Sequence, residues 1–475
     1  MFPPVNSKVN FSQLEENILQ LWQDKNVFER SVEARQGAPR FVLYEGPPTA
    51  NGSPGIHHVL SRIFKDIIPR YKAMKGYYTP RIAGWDTHGL PVELEVEREL
   101  GFSSKAQIEE HGVDRFNARC RESVFGYLKE WEEMTERIGF WVDLKHPYIT
   151  MDNNYIETCW WAIKQMWDKG LVYQGYRVTP HCPRCGTSLS SHEVALGYQD
   201  DVEDPSVYIK FKVVPASVGS EARPRLFNLF LTKPAYFLAW TTTPWTLPGN
   251  TALAVDASAD YAVVEKDDEY IIMADALREW VGLGGYEVVE KLRGSDLVGG
   301  EGKRRIEYKP LYNPHEFGVE RRRFRLFYIP DRGEFYKELP DVAPLQEPDE
   351  DLRYKVIDTD FVSMEEGTGI VHVAPAYGEV DFKAGIDNDL DFVHPVDLQG
   401  KITGNYPFSG LFVKDADPLI LDDLKSRGLL YRSEKIRHTY PFCWRCETPL
   451  LYYAKQTWYI RTTAVKENLL LVITR

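Results

Sequence analysis

Four of the six cysteines fall into two Cys-x-x-Cys pairs, Cys182-Pro-Arg-Cys185 and Cys443-Trp-Arg-Cys446. Each pair can chelate a soft cation from one tight turn of chain, and two pairs supply the four thiolates that tetrahedral zinc takes. The pairs share an arginine before the second cysteine. The gap between them exceeds that of an ordinary zinc ribbon and implies a whole domain inserted between two halves of one site. Two separate half-sites or free thiols are the alternative. Cys120 and Cys159 read as isolated core residues.

A second constellation follows an apolar strand, Phe41-Val-Leu-Tyr-Glu45. The loop Gly46-Pro47-Pro48-Thr49-Ala50-Asn51-Gly52 leads to His57 and His58 where a helix should begin. A helix N-terminus offers free N–H groups and a positive dipole end, so it can hold phosphate. Two imidazoles there add donors, and Gly46, Gly52 and Gly55 let backbone approach a ligand closely. On the histidines alone, a capped helix with two surface imidazoles reads as well. Asp86 ends the next strand, Tyr78 to Ala83 followed by Gly84-Trp85. Ligands of open α/β sheets bind at that carboxyl edge, where a carboxylate can pair with an ammonium. Helix capping is the other use of an aspartate there.

The elements that must carry these groups can be read from periodicity. Phe11, Leu14, Ile18, Leu21 and Trp22 predict a helix over Phe11 to Phe28, with Ser12 and Glu15 as a capping box. Leu60, Ile63, Ile67, Tyr71 and Met74 predict another, and a third starts near Pro91. Strand, loop and helix alternating in this way predict a parallel doubly wound sheet. From about Pro205 the texture changes to short β-type runs: Val207 to Val214, Ala252 to Val255, Tyr261 to Val264 and Ile370 to Val373. They predict a separate β-rich domain. The basic clusters Lys303-Arg-Arg305 and Arg321 to Arg325 read as solvated loop. The 475 residues leave room for two to four domains, and a net charge of −13 argues against a basic nucleic-acid coat. The 12 Trp and 13% aromatic content imply many buried or substrate-facing rings. No secretory signal or membrane-length apolar run is present, so a cytoplasmic protein with no membrane partner is expected.

Four strings carry a specific resemblance. Glu45-Gly-Pro-Pro-Thr-Ala-Asn-Gly52 with His57-His58, and Gly84-Trp-Asp-Thr-His-Gly-Leu-Pro-Val-Glu93, resemble isoleucyl-tRNA synthetases. Valyl and leucyl types differ over Trp85 to Pro91. Trp240-Thr-Thr-Thr-Pro-Trp-Thr-Leu-Pro-Gly-Asn250 and Gly367 to Asp381 resemble the editing domain of isoleucyl, valyl and leucyl synthetases. The family's His-x-Gly-His signature reads Gly55-Ile56-His57-His58 here. Only the last histidine is in its usual place, and His57 is expected to supply the other imidazole from a shifted position.

The resemblance implies an α/β class I synthetase chain: a partial Rossmann-like parallel sheet, an inserted β-rich editing domain and a zinc knuckle pair. The expected domains are 1–202, the first catalytic half with the first knuckle; 203–436, the editing insert; and 437–475, the return with the second knuckle. The implied catalytic residues are His57 and His58. Gly46, Pro47, Pro48, Asn51, Gly52, Asp86 and His88 would bind isoleucine and ATP. Thr241, Thr242, Thr243, His372 and Asp381 would edit, with water as nucleophile because no Ser-His-Asp triad is visible. A threonine run taken alone is ordinary strand composition.

Implied cofactors are structural zinc through Cys182, Cys185, Cys443 and Cys446, and ATP with Mg2+ as a substrate complex. Implied partners are tRNA(Ile), isoleucine and ATP, for a monomer. The reaction would be ATP-dependent joining of isoleucine to tRNA(Ile), with hydrolysis of mischarged valyl-tRNA(Ile). No Lys-Met-Ser-Lys-Ser loop occurs in the sequence, and Leu469 to Arg475 departs from how the family proceeds. An N-terminal portion, unable to form isoleucyl-adenylate at a useful rate but able to deacylate weakly, is therefore expected. A stand-alone editing deacylase and an inactive tRNA-binding fragment are the alternatives.

Overall fold

A computed structural model of the chain describes residues 8–46, 48–49, 52–219, 223–299, 305–329, 334–345 and 351–473. It resolves into two compact units, residues 1–170 and 171–475. Among the described residues no helix is long and apolar enough to cross a membrane.

In the first unit the capping differs from expectation. Helix α1 runs Phe11–Asp24, and Asn10, not Ser12, is its N-cap, its Oδ1 accepting from the Gln13 amide at 3.3 Å. Asn is as good a cap as Ser, and its place directly before the first helical residue decides the matter. The predicted single helix to Phe28 is in fact two, because Asn26 takes a left-handed conformation, φ 48°, and α2 restarts over Val27–Glu33. Strand β1 (Leu43–Tyr44), helix α3 (Ile56–Met74), strand β2 (Arg81–Trp85), helices α4 (Leu90–Leu100), α5 (Lys105–His111) and α6 (Val113–Arg137), strand β3 (Asp143–Ile149) and helix α7 (Asn153–Asp168) follow. The three strands form a parallel sheet in the order β1-β2-β3. Backbone bonding extends beyond the two paired residues of β1, since the amides of Phe41, Leu43 and Glu45 donate to Tyr78, Pro80 and Ile82. Small apolar clusters, such as Ala83 with Phe140 and Val142, join sheet to helices. Cys120 is half-buried against Val92 and Val124. Cys159, expected in a core, is exposed on α7, where Trp160 and Trp161 are exposed as well.

The second unit holds the β-rich part. Its strands are β4 (Val172–Cys182), β5 (Thr187–Ser188), β6 (Tyr198–Lys212), β7 (Ala235–Thr241), β8 (Ala252–Val255), β9 (Asp260–Lys266), β10 (Glu269–Ala274), β11 (Glu287–Arg293), β12 (Glu307–Tyr308), β13 (Arg321–Ile329), β14 (Glu334–Pro344), β15 (Tyr354–Asp358), β16 (Val371–Val373), β17 (Asp391–Val393), β18 (Leu430–Pro441) and β19 (Leu451–Ile460). A ten-stranded sheet runs β11-β9-β10-β7-β16-β8-β15-β12, with β6 pairing both β7 and β18. Smaller sheets are β14-β13-β17 and β19-β4-β5. Every residue of Ala252–Val255 is buried, which explains why that run is apolar without alternation. Two long antiparallel ribbons close the unit. Val172 to His181 pair with Ile460 to Leu451, and Tyr198 to Ile209 pair with Pro441 to Leu430.

The cluster Arg321 to Arg325 is strand, not solvated loop. Period-two alternation aims Arg321 and Arg323 at Asp391 of β17, with N···O distances of 2.6 and 2.9 Å. Arg322, on the other face, bonds Glu320 and the Tyr176 hydroxyl. Lys303 and Arg304 lie outside the described residues. The Asp391 side chain is only 5% exposed, so Asp391→Ala strands two guanidinium groups. It should lower unfolding stability by about 3 kcal/mol, read as a reduced urea midpoint, whereas Arg322→Ala should cost much less.

Candidate functional site

The carboxyl ends of β1, β2 and β3 converge with the N-terminus of α3. The loop after β1 lies alongside β2: the Asp86 amide donates to the Pro48 carbonyl at 3.1 Å, and Thr49 bridges to Asp86. Pro47 and Asn51 lie outside the described residues. A Cβ on Gly46 would meet nothing closer than Lys65 Nζ at 3.9 Å, and one on Gly52 nothing within 4 Å, so both glycines border open space. Gly84 is needed for a different reason. The Tyr148 ring crosses it, and a Cβ there would fall 2.2 Å from that ring, whose hydroxyl donates to the Glu45 carbonyl.

Asp86 caps no helix; α4 begins at Leu90 and its N-cap is Gly89. Its carboxylate instead accepts from Thr49 Oγ1 at 3.3 Å and Thr150 Oγ1 at 3.5 Å, with 35% of the side chain left accessible. His88 Nδ1 lies 2.7 Å from Thr150 Oγ1 and 4.0 Å from Asp86. Thr150 is thus a hub, since its hydroxyl also accepts the Thr87 amide at 3.0 Å. No motif announces it, because it belongs to a strand end more than sixty residues downstream.

His58 is half-buried at the third position of α3. Its Nδ1 accepts the Gly55 amide at 2.9 Å, which leaves the other ring nitrogen to carry the proton as a donor. Burial, and then the charges of His57 and Arg62, hold its pKa below the usual imidazole range, so the ring is neutral at pH 7. The exposed ring of His57 packs on it, 3.8 Å between centroids. A Cβ on Gly55 would come within 2.8 Å of that same His57 ring. The space in which a side chain at position 55 would start is therefore filled by His57. Below them Trp131, 2% exposed, donates from Nε1 to the Gly52 carbonyl at 2.9 Å and packs against His58. Buried Arg62 lies among Trp85, Trp131 and Phe140 and pairs with Glu45 at 3.8 Å. These two supports, Trp131 and Arg62, were not singled out in the sequence.

In the second unit the threonine run does more than form strand. Thr243 Oγ1 lies 3.3 Å from Thr241 Oγ1 and 3.4 Å from Thr246 Oγ1, and Thr246 Oγ1 lies 3.1 Å from His372 Nε2. Thr242 is half-exposed. His372 is buried, its Nδ1 has no hydrogen-bond partner among the described residues, and burial pushes its pKa down to about 4. Asp381 lies in the first turn of the helix Glu379–Asp387 and accepts the Ala374 amide at 2.9 Å. Burial pushes its carboxyl up to about 6 despite that bond. Thr246 sits inside the quoted motif, yet its role emerges only once the 3-10 turn Pro244–Gly249 brings it to His372.

The four cysteine sulfurs of the paired knuckles lie within 4.8 Å of one another, Cys446 Sγ being 3.5 Å from Cys182 Sγ and 3.6 Å from Cys185 Sγ. Four ligands at about 2.3 Å from a tetrahedral zinc stand about 3.8 Å apart, so the donor set and spacing fit such an ion. The two knuckles repeat one geometry. The residue after the second cysteine donates its amide to the first cysteine's carbonyl at 2.8 Å in both, and takes positive φ in both: Gly186 at 64° and Glu447 at 57°. Hydrogen bonding within the cluster pushes the Cys443 and Cys446 thiols down and the Cys182 and Cys185 thiols up.

A family model of tRNA synthetases class I (I, L, M and V) matches residues 17–475, and the chain belongs to that family. It is similar to curated isoleucine–tRNA ligases. That of Dehalococcoides mccartyi is 59% identical over 470 residues, covering 99% of this chain and 44% of that protein. That of Clostridium novyi is 47% identical, covering 99% and 40%. That of Thermus thermophilus is 45% identical, covering 97% and 39%. The chain thus spans less than half the length of these relatives. Among solved structures, LeuRS of Agrobacterium radiobacter K84 in a ternary complex with tRNA and LeuAMS has a TM-score of 0.32 and 15% identity, over 90% of this chain and 49% of that one.

The knuckle geometry generates a test. Glu447 is exposed and strained, while its counterpart is already glycine. Glu447→Gly should raise stability by roughly 0.5–1 kcal/mol, and Gly186→Ala should lower it by about as much, both read as shifts in thermal midpoint.

Proposed function

We propose that the chain carries the isoleucine- and ATP-binding half-site of an isoleucine–tRNA ligase, together with the hydrolytic site that clears valyl-tRNA(Ile). The observation that carries the first half is the convergence of Asp86, the glycine loop and the His58-bearing helix end on one sheet edge. Asp86, oriented by two hydroxyl donors, pairs with the ammonium of isoleucine. Gly46, Pro47, Pro48, Asn51 and Gly52 border ATP, with His88 beside Asp86. His58 donates to phosphate oxygen as a neutral imidazole, and His57 supplies the imidazole that position 55 lacks. The partners are tRNA(Ile), isoleucine and ATP with Mg2+, for a monomer in the cytoplasm.

The hydrolytic site exists because of a limit on binding. Isoleucine and valine differ by one methylene, worth roughly 1–3 kcal/mol in an apolar pocket, and the isoleucyl enzyme is itself the worked case of that limit. Thr241, Thr242, Thr243 and Thr246 supply hydroxyls, His372 orients water or a ribose hydroxyl as an uncharged ring, and Asp381 grips the ammonium of the mischarged residue. The insert corresponds to 203–436, between catalytic segments 1–202 and 437–475. Cys182, Cys185, Cys443 and Cys446 hold one zinc ion. Zinc bound there acts structurally, by fixing the two knuckles to each other.

Two tests follow. The wild-type chain should deacylate valyl-tRNA(Ile) and spare isoleucyl-tRNA(Ile). Asp381→Asn should slow that deacylation on the order of 100-fold, from the loss of a desolvated charge partner worth about 3 kcal/mol. The same variant should not lose stability. Asp381 has a raised folded pKa, so its stabilising contribution is complete below its ordinary 3.8 and is lost as pH rises through about 6. The melting temperature of Asp381→Asn relative to wild type should therefore rise across that window. Wild-type deacylation by the variant would remove Asp381 from the site. Metal analysis should find about one zinc per chain, absent from a Cys443→Ser, Cys446→Ser double variant; unchanged zinc content would sink the split site.

A further inference from the structure

Thr150 follows directly on β3, which ends at Ile149, and only 5% of it is exposed. Its amide donates to the Trp85 carbonyl at 3.1 Å, which carries the β2–β3 pairing one residue past the strand. Side chains then continue the link. The Thr87 amide donates to Thr150 Oγ1 at 3.0 Å, and the Met151 amide donates to Thr87 Oγ1 at 3.1 Å. This reciprocal pair fixes where the Thr150 hydroxyl stands, beside Asp86 and His88.

The protons around that hydroxyl can be counted. A threonine hydroxyl has one proton to give and two lone pairs. Asp86 Oδ1, 3.5 Å away, is an acceptor; the Thr87 amide is a donor; His88 Nδ1, 2.7 Å away, can be either. With the proton given to Asp86, the two lone pairs take the Thr87 N–H and an Nδ1–H of His88. All three contacts are then satisfied, without the Thr87 hydroxyl at 3.3 Å. The reverse assignment, with the proton given to His88, turns a Thr150 lone pair toward a carboxylate oxygen and leaves two acceptors facing each other. Hydrogen bonds in series polarise one another, so the bond from His88 strengthens the one to Asp86.

Asp86 is thus held at both oxygens from two different segments. Thr49, in the loop after β1, donates to Oδ2 at 3.3 Å, and Thr150 donates to Oδ1. Two fixed points set the plane of the carboxylate, and 35% of the side chain stays open to a ligand. We propose that Thr150 is a positioning residue of the amino-acid site, orienting the Asp86 carboxylate and keeping the His88 proton on Nδ1. His88 Nε2 has no hydrogen-bond partner among the described residues and is left as an acceptor. An ammonium brings three N–H donors, and acceptors on Asp86 and His88 then stand together to meet it. This inference rests on the isoleucine half-site reading.

The test uses the full chain, labelled with 13C and 15N at histidine, at a pH above the usual imidazole range. NMR reads the His88 tautomer, assigned through His88→Gln, and titration with L-isoleucine gives Kd. Wild-type His88 should carry its proton on Nδ1. Thr150→Val keeps the shape, removes the hydroxyl and should release that tautomer and raise Kd roughly tenfold, the loss of one bond to a charged group. Thr150→Ser restores the hydroxyl and should recover the tautomer, with Kd within about threefold of wild type. Thr87→Val removes the acceptor of the Met151 amide but leaves Thr150 with Asp86 and His88. It should lower the melting temperature as Thr150→Val does, yet leave Kd within about twofold of wild type. Should Thr150→Val not fold, Thr150→Ala removes the same hydroxyl and is read in the same way. A wild-type His88 with its proton on Nε2 overturns the proposal. So does an unchanged Kd in the valine or alanine variant, a serine variant no better than they are, or a Thr87→Val variant that binds as weakly. A wild-type chain that does not bind L-isoleucine overturns the half-site reading and this inference with it.

Discussion

Antiparallel pairing between segments far apart in sequence is the constraint on which the second unit depends. Residues 172–212 and 430–460 are joined along their length by β4 pairing with β19 and β6 pairing with β18. Loop closure over so long a span costs entropy that no local contact repays. The repayment comes from two ladders and from side-chain bonds laid across them, Lys435 to Glu203 and His438 to Asp204. Once the ribbons register, the rest is forced. Phe442 donates to the Gly197 carbonyl at 2.8 Å, and the second knuckle lands opposite the first. A metal at the cysteines would lock a juxtaposition that the backbone already makes.

The two candidate sites handle polarity in opposite ways. At the sheet edge of the first unit, the carboxylates are supported: Asp86 by two threonines, Glu45 by Lys65 and Arg62. Such a site meets a charged ligand with groups whose partners already fix their orientation. The cluster of Thr241, Thr243, Thr246, His372 and Asp381 is under-supported. His372 is driven neutral, Asp381 is driven toward the acid form, and His372 Nδ1 has no hydrogen-bond partner among the described residues. Groups in that condition gain from a ligand what the fold does not give them, and an incoming ammonium would restore Asp381 to its carboxylate. Perturbed groups gathered in one place are a mark of chemistry more than of packing.

How much of this was legible follows from the range of each signal. Period and punctuation are local, so Ala252–Val255 and the helix over Leu60 to Met74 could be read directly. The break after Asp24 could not, because only the left-handed turn at Asn26, and no proline or glycine, divides the helix there. Arg321 to Arg325 looked solvated because its partner, Asp391, lies almost seventy residues on. The cysteine knuckles were legible because their spacing is itself the chemistry. The candidate groups stand in motifs, whereas the groups that contact them, Thr150 and Trp131, belong to other elements and carry no pattern of their own.

The α3 entrance shows how far a departure from a motif can be absorbed by geometry. With glycine at position 55, the N-cap loses its side chain, yet its amide is still satisfied, because His58 Nδ1 accepts it. That bond decides the tautomer and turns the remaining N–H of His58 outward as a donor. It also requires the ring to stay neutral, since a protonated Nδ1 cannot accept. Burial and the charges of Arg62 and His57 all act in that direction. The vacancy left by the missing side chain is then filled from two residues further along, by the His57 ring. Position and protonation are therefore set by the helix start itself, and the altered signature keeps two imidazoles at the helix end where phosphate would be held.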